Sequence, residues 1–330
     1  MRILIAGGAG YVGSVLVPKL LDRGYQVDVV DLFWFGNHLP SETGIINKDI
    51  FDIGVQDVEP YQQVVFLAGL SNDPMAEYSP SQNFIFNAAA PAYLAYIAKK
   101  ARVKRYIYAS SCSVYGYTDN ELFDENRPVA SAYPYGISKL QGEQAVMNLV
   151  DETFSVISLR KGTISGWSPR MRLDLIVNTM FRNGIRNGEI TVNNPSIWRP
   201  ILSIDDATNA YIRAIEASEK MSGIFNVASG NYTVGEVGDL VKMAIEEKFG
   251  KRVQLTINHK SDFRNYKVSI QKAENVLSFH PNHDVKSIVR NLIEHMDKFD
   301  DWDNPLYYNI ETLKLLSTKS GLRTLAEVAQ

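Results

Sequence analysis

The chain has 330 residues, 45% of them hydrophobic and 22% charged, enough to bury the core of one large domain or two closely joined ones. Its 34 basic residues stand against 37 acidic ones, a net charge of −3, which excludes a global field for nucleic acid or a membrane surface and leaves recognition of anions to local arginines. A single cysteine, Cys112, excludes an internal disulfide and a multi-cysteine zinc site, and the five scattered histidines have no His-x-x-x-His spacing, so no metal centre is expected.

The N-terminal apolar run of residues 3–6 breaks at once into Gly7-Gly8, far short of a secretory signal. Nowhere do the ~20 apolar residues of a transmembrane helix occur. A cytoplasmic, soluble protein is expected. Residues 2–6 read as a buried strand, 11–23 as a helix closed by Gly24, and 26–31 as the next strand. Further strands are predicted at 63–68 and 105–110, with a long helix between them at 81–101, entered through Ser79-Pro80. A helix at 135–150 precedes a strand at 154–159. This alternation predicts βαβ units and a parallel sheet covered on both faces, an α/β fold of the Rossmann type, doubly wound.

After Gly166 the texture changes. Gly, Asn, Pro and Arg become frequent between 167 and 200, around one helix at 173–187, and the segment reads as a substrate-facing insertion rather than more sheet. Then follow a helix at 205–216, a strand at 224–228 and a helix at 234–249 capped by Thr233. A short strand is expected at 253–257, with helices near 271–277 and 285–297. The acidic, aromatic and Lys-rich tail from Asp300 carries no readable motif. The expected division is a dinucleotide-binding unit over 1–166, to which 203–230 returns, and a smaller mixed α/β substrate-binding region built from 167–202 and 231–330.

Gly7-x-x-Gly10-x-x-Gly13 lies between the first strand and the first helix. Glycines there permit a tight turn, close approach of backbone to a pyrophosphate and close packing of helix on strand, while the helix N-terminus offers unpaired N–H groups to the phosphates. Asp31 ends the second strand about 20 residues on, where a carboxylate hydrogen-bonds the adenine ribose and repels a 2′-phosphate. The expected cofactor is therefore NAD rather than NADP. Tyr135 and Lys139, four apart on one predicted helix, share a face, and a nearby ammonium favours phenolate, lowering the phenol from its usual ~10. A tyrosine so tuned can exchange a proton with an alcohol.

These motifs, in this order, resemble the extended short-chain dehydrogenase/reductase family, in its NAD-dependent group that acts on nucleotide-linked sugars. The resemblance runs over residues 2–295. It places Tyr11 and Val12 with the three glycines around the cofactor, and Asp49-Ile50 against the adenine. It places Leu67-Ala68-Gly69 where the family has Leu-Ala-Ala, and Asn87 on the nicotinamide side. Outside that register Asp49 and Asn87 would read as an ordinary cap and a surface polar group. Ser110-Ser-Cys-Ser-Val-Tyr-Gly116 resembles the family's Ser-Ser-x-x-Val-Tyr-Gly, which implies that Ser111 binds the reacting sugar oxygen, Tyr135 is the acid/base and Lys139 holds the nicotinamide ribose.

Thr163 stands where the family contacts the sugar nucleotide. Arg199 and Arg264, in segments resembling the family's diphosphate-binding ones, would clasp the diphosphate in guanidinium forks. Arg170 and Arg172 either line the same pocket or are structural. The resemblance implies a nucleotide-diphosphate sugar as substrate and a homodimer built on the helices at 81–101 and 135–150. Epimerisation at C4 through a 4-keto sugar is the leading expectation, with a net C4 dehydrogenase or keto-sugar reductase as the alternative. A 4,6-dehydratase is disfavoured, because Cys112-Ser113 stands where that group has two carboxylates. A non-catalytic dinucleotide binder is disfavoured because both Tyr135 and Lys139 are present.

Overall fold

The computed structural model describes residues 1–259 and 264–318. Its main sheet has seven parallel strands, β1 (Arg2–Ala6), β2 (Gln26–Asp31), β3 (Gly44–Asn47), β4 (Gln63–Phe66), β5 (Arg105–Ser111), β6 (Ser155–Lys161) and β7 (Gly223–Val227), in the spatial order 7-6-5-4-1-2-3. Winding proceeds outward from β1 in both directions. The order therefore reverses between β1 and β4, where loops diverge above the strand ends and leave a crevice.

Both faces of the sheet are dry, which is why its strands read as apolar runs rather than as alternating patterns. Ile3 and Ile5 pack on one side with Leu16 and Leu20 of the helix Gly13–Leu21 and with Tyr211 of the helix Ile204–Glu216. Leu4 and Ala6 pack on the other with Leu94 of the helix Ala90–Lys100 and Val146 of the helix Pro134–Met147. A separate core, around Val177, Phe181, Val192, Val241, Ile288 and Leu292, holds together the segments beyond the main sheet. Among the described residues no helix is long and apolar enough to cross a membrane.

Four expectations are corrected. The edge strand β3 was not foreseen, because four residues carry too little pattern and the strand exists through its register with β2, Asp31 opposite Asn47. The long helix expected at 81–101 is interrupted by a π-turn at Ile85–Ala89, between Pro80–Phe84 and Ala90–Lys100. The stretch 167–200 does contain sheet. Glu189–Asn193 pairs with Gln254–Asn258, and Trp198–Ser203 lies between Thr163–Ser165 and Gly230–Thr233. These pairings are too distant in sequence to leave a local signal. Finally, the tail forms the helix Asn309–Thr318, which packs on the body of the protein.

One buried ion pair fixes the helix Pro134–Met147 on the sheet. Arg160 of β6 donates from Nη2 to Glu143 Oε1 at 2.6 Å and from Nε to both carboxylate oxygens at 3.1 Å. Ser158 donates to Glu143 Oε2 at 3.0 Å, and Arg160 Nη1 donates to the Tyr115 hydroxyl at 2.8 Å. Burial works against the guanidinium charge, but Glu143 outweighs it and holds Arg160 firmly protonated. Removing one partner strands the other in a dry interior at a cost of about 3–5 kcal/mol. Glu143→Ala and Arg160→Ala should each lose that much in urea unfolding, while the pair Glu143→Leu with Arg160→Met recovers most of it. Losses of only about 0–1 kcal/mol in both single variants, the scale of an exposed pair, would contradict this role.

Candidate active site

A cavity of about 580 Å³ opens over the C-terminal ends of β1, β2, β4, β5 and β6. At one end is the glycine turn. Gly7 has φ +78°, and a Cβ there would stand 2.4 Å from the Ala68 backbone nitrogen, so only glycine lets the turn lie against the end of β4. A Cβ on Gly13 would fall 2.1 Å from the Gly8 carbonyl oxygen. No side chain caps the helix Gly13–Leu21; the Ser14 and Val15 amides bond back to the Gly10 and Val12 carbonyls, and the helix N-terminus with its partial positive charge faces the cavity. Gly7, Gly10, Tyr11, Val12 and Gly13 all line the wall.

Asp31, Asp49, Ile50, Leu67, Ala68 and Gly69 line it as well. Asp31 accepts from the Ala9 amide at 3.0 Å and the Phe33 amide at 2.9 Å, while burial pushes its carboxyl up. Asp49 caps a short turn through the Phe51 amide. Gly69, the departure from Leu-Ala-Ala, has a structural reason. Its φ is +138°, and a Cβ would sit 2.3 Å from Asn87 Oδ1. Asn87 itself lies off the cavity wall, fully buried in the π-turn, where its Nδ2 donates to the Leu70 carbonyl at 2.8 Å and to Asn83 Oδ1 at 2.7 Å. Sequence placed it on the nicotinamide side; the structure gives it the task of holding the loop after β4.

In the middle of the cavity the Ser111 hydroxyl, on the last residue of β5, lies beside the phenol of Tyr135, the second residue of its helix. Burial pushes this phenol up, the Asp73 carboxylate adds to that, and the neighbouring Ser111 hydroxyl works the other way. The expected depression by Lys139 is not present in this geometry. Lys139 is buried behind the wall, donates to the Ala109 carbonyl at 3.1 Å and lies 5.4 Å from the Tyr108 ring centre. Burial and the neighbouring Lys161 lower its own affinity for a proton. Helical spacing gave the shared face of Tyr135 and Lys139, but not the direction of the amine.

Hydroxyls continue from this centre toward the substrate side. Ser111 donates to Ser113 Oγ at 3.1 Å, Ser113 meets the Tyr266 hydroxyl at 3.3 Å, and the Tyr266 ring lies 5.4 Å from the Arg199 guanidinium. Arg199 donates to the Arg264 carbonyl, and Arg264 pairs with Asp73 and lies over the Tyr133 ring. Thr163, Arg199 and Arg264 line the cavity, so the structure brings them to the same cavity as Ser111 and Tyr135. The neighbour Asp262 in that motif lies outside the described residues.

Sequence reading missed Lys161 and Tyr266 and left Arg170 and Arg172 open. Lys161 lies opposite Ser111 in the β5–β6 register and faces the cavity, and burial lowers its ammonium to about 8. The registers that bring it there are legible only once strands are paired. Arg172 is paired with Asp174. Arg170 lies 3.6 Å from the Phe35 ring centre and donates to Asn309, and its Nε has no partner among the described residues. Burial lowers this guanidinium to about 9. A buried cation left partly unsatisfied beside an uncapped helix N-terminus and a glycine cradle fits an anionic dinucleotide.

The family model described as "NAD dependent epimerase/dehydratase family" matches residues 3–228. A putative UDP-glucose 4-epimerase of Methanocaldococcus jannaschii is 26% identical over 313 residues, covering 89% of this chain and 98% of the relative. UDP-glucuronic acid decarboxylase 3 of Arabidopsis thaliana is 25% identical over 307 residues, with 85% and 84% covered. In fold the chain is similar to the UDP-glucose 4-epimerase of Thermotoga maritima solved with UDP-glucose, with a TM-score of 0.80 at 23% identity, over 90% of this chain and 99% of that one. The glycine turn, the carboxylate ending β2 and the Ser111–Tyr135 contact all fall inside the matched span, and with it taking in more than half the chain, this protein belongs to the NAD dependent epimerase/dehydratase family.

Proposed function

We propose that the protein interconverts nucleotide-diphosphate sugars by epimerisation at C4, using NAD and a transient 4-keto sugar. The observation that carries this reading is the meeting of the Ser111 hydroxyl and the Tyr135 phenol in one cavity that also holds the glycine cradle and Arg199 and Arg264. Gly7, Gly10, Gly13 and Arg170 would hold the cofactor's diphosphate and Asp31 its adenine ribose. When bound, NAD supplies the acceptor and donor for the C4 hydride. Ser111 positions the C4 hydroxyl, and Tyr135 takes its proton as the carbonyl forms and returns one when the alcohol is restored. Lys139, one turn along the helix, would hold the nicotinamide ribose and stabilise the phenolate that burial disfavours. Thr163, Arg199 and Arg264 would bind the sugar nucleotide, and Lys161 adds a cation beside Ser111.

Tyr135→Phe removes only the titrating oxygen. Turnover should fall by about 10²–10⁴ while folding and NAD affinity persist. Lys139→Met should loosen NAD and move the pH optimum upward, because the phenolate loses a nearby cation. Sugar NMR of UDP-glucose and UDP-glucuronic acid incubated with the NAD-loaded protein checks the reaction itself. The 4-epimer should form without net NADH, whereas stoichiometric NADH assigns a dehydrogenase, and full activity in Tyr135→Phe overturns the mechanism.

Arg199→Ala should weaken sugar-nucleotide binding about tenfold or more, the scale of one charge-assisted hydrogen bond, and leave NAD affinity alone. Unchanged affinity in calorimetry would remove the diphosphate assignment. Asp31 should favour NAD over NADP on the order of a hundredfold, and Asp31→Ala should narrow that gap. Equal binding of both by the unaltered protein would refute it. We also propose a homodimer through the outer faces of the helices Ala90–Lys100 and Pro134–Met147, where Tyr96 is half exposed. Sedimentation equilibrium at micromolar concentration checks this, and a monomer there argues against it.

A further inference from the structure

The chain does not end where the sheet and the substrate side are complete. Phe299 is buried in the substrate-side core, Trp302, Tyr307 and Tyr308 pack on it, and the Tyr307 carbonyl accepts from the Leu173 amide at 2.9 Å. The chain then crosses to the opposite wall. Leu313 of the helix Asn309–Thr318 is buried against Leu70 and Met75, with Trp34 and Phe86 packed around the contact. Trp34, Leu70 and Phe86 are themselves cavity residues, and so is Asn309.

Asn309 joins three walls at once. Its backbone N–H donates to Asp174 at 3.2 Å, its Nδ2 donates to Ser71 at 3.3 Å, and its Oδ1 accepts from Arg170 Nη2. The two arginines beside it are treated differently. Arg172 is ion-paired with the Asp174 carboxylate, whereas Arg170 makes no ion pair among the described residues: the Asn309 amide oxygen orients its guanidinium, and Asp174 and Asp31 act on its charge only at longer range. That is the chemistry required of a group whose counter-charge comes from a bound anion. The match to the Thermotoga protein takes in 99% of that chain but 90% of this one, so part of this chain is additional to the shared fold.

We infer that residues 299–318 form a strap that retains the dinucleotide in its cavity, with Asn309 as the positioning residue that sets Arg170 against it. A reaction that returns its hydride to the same sugar needs no exchange of cofactor, so slow release suits it. The inference itself rests on the family's cofactor and not on the proposed sugar chemistry. Removing the strap opens the side of the cavity at Leu70 and Trp34. Removing only the Asn309 side chain frees Arg170 while leaving the hydrophobic closure in place.

The test follows release of radiolabelled NAD from the loaded full-length protein after dilution into excess unlabelled NAD. The variants are a chain stopped after Tyr308, Asn309→Ala, Arg170→Gln, and the last two together. Release should quicken by about tenfold or more both in the shortened chain and in Asn309→Ala, the latter being the scale of one hydrogen bond to a charged group. In the Arg170→Gln background, Asn309→Ala should change release less than about twofold, because its effect runs through that guanidinium. If the shortened chain fails to fold, the Asn309 and Arg170 cycle decides the matter alone. Release from Asn309→Ala as slow as from the unaltered protein would overturn the inference. Equal acceleration by Asn309→Ala in both Arg170 backgrounds would remove the positioning role.

Discussion

Glu143 and Arg160 leave water together, one on a helix and the other on a strand of the sheet beneath it. With their side chains 1% and 4% exposed, neither charge has an alternative partner of its own strength, so a shift of the helix Pro134–Met147 by one residue would abandon both. Tyr135 and Lys139 stand on the same helix, two turns and one turn before Glu143. Arg160 stands one residue before Lys161 and three before Thr163. The distance between the helix that carries Tyr135 and the wall of the cavity is therefore set by a contact outside the cavity. The Tyr115 hydroxyl extends this lock by donating to Asn226 on β7 at 2.8 Å.

The parallel sheet supplies the second constraint. Because every strand runs the same way, each C-terminal end opens at one edge, and the crevice between β1 and β4 collects loops from segments distant in sequence. Overall charge plays no part in what this edge recognises, since the net value is only −3. Cations are instead placed singly around the cavity: Arg170 and Arg172 on one side, Arg199 and Arg264 on the other, and Lys161 near the centre. Arg172 and Arg264 are balanced by Asp174 and Asp73, while Arg170 and Lys161 have no carboxylate ion pair among the described residues. The cavity is thus prepared for anions at chosen points rather than along a uniform field.

Much of this was legible in the chain because the signals were local. The turn at Gly7 requires a positive φ and the absence of a side chain, and a three-glycine spacing reports both. Asp31 at the end of an apolar run, and Tyr135 four before Lys139, likewise encode position through periodicity alone. The motifs around Ser111, Thr163, Arg199 and Arg264 became readable only by resemblance, and the structure brought all four to one cavity. Asn87 shows the limit of that route. Register put it beside the cofactor, whereas the π-turn rotated its amide into the protein to hold Leu70.

By itself, then, the sequence determined the doubly wound sheet, the dinucleotide turn and the family. Each follows from repeat, spacing or a backbone requirement within a few residues. Tertiary structure alone decided where the amine of Lys139 points, that Lys161 stands beside Ser111, that Arg264 is shared with Asp73, and that Asn309 closes on Arg170. Those outcomes depend on pairs separated by 30 to 191 residues. No local period records such a pair, because the packing that creates it comes into being only when the sheet has assembled.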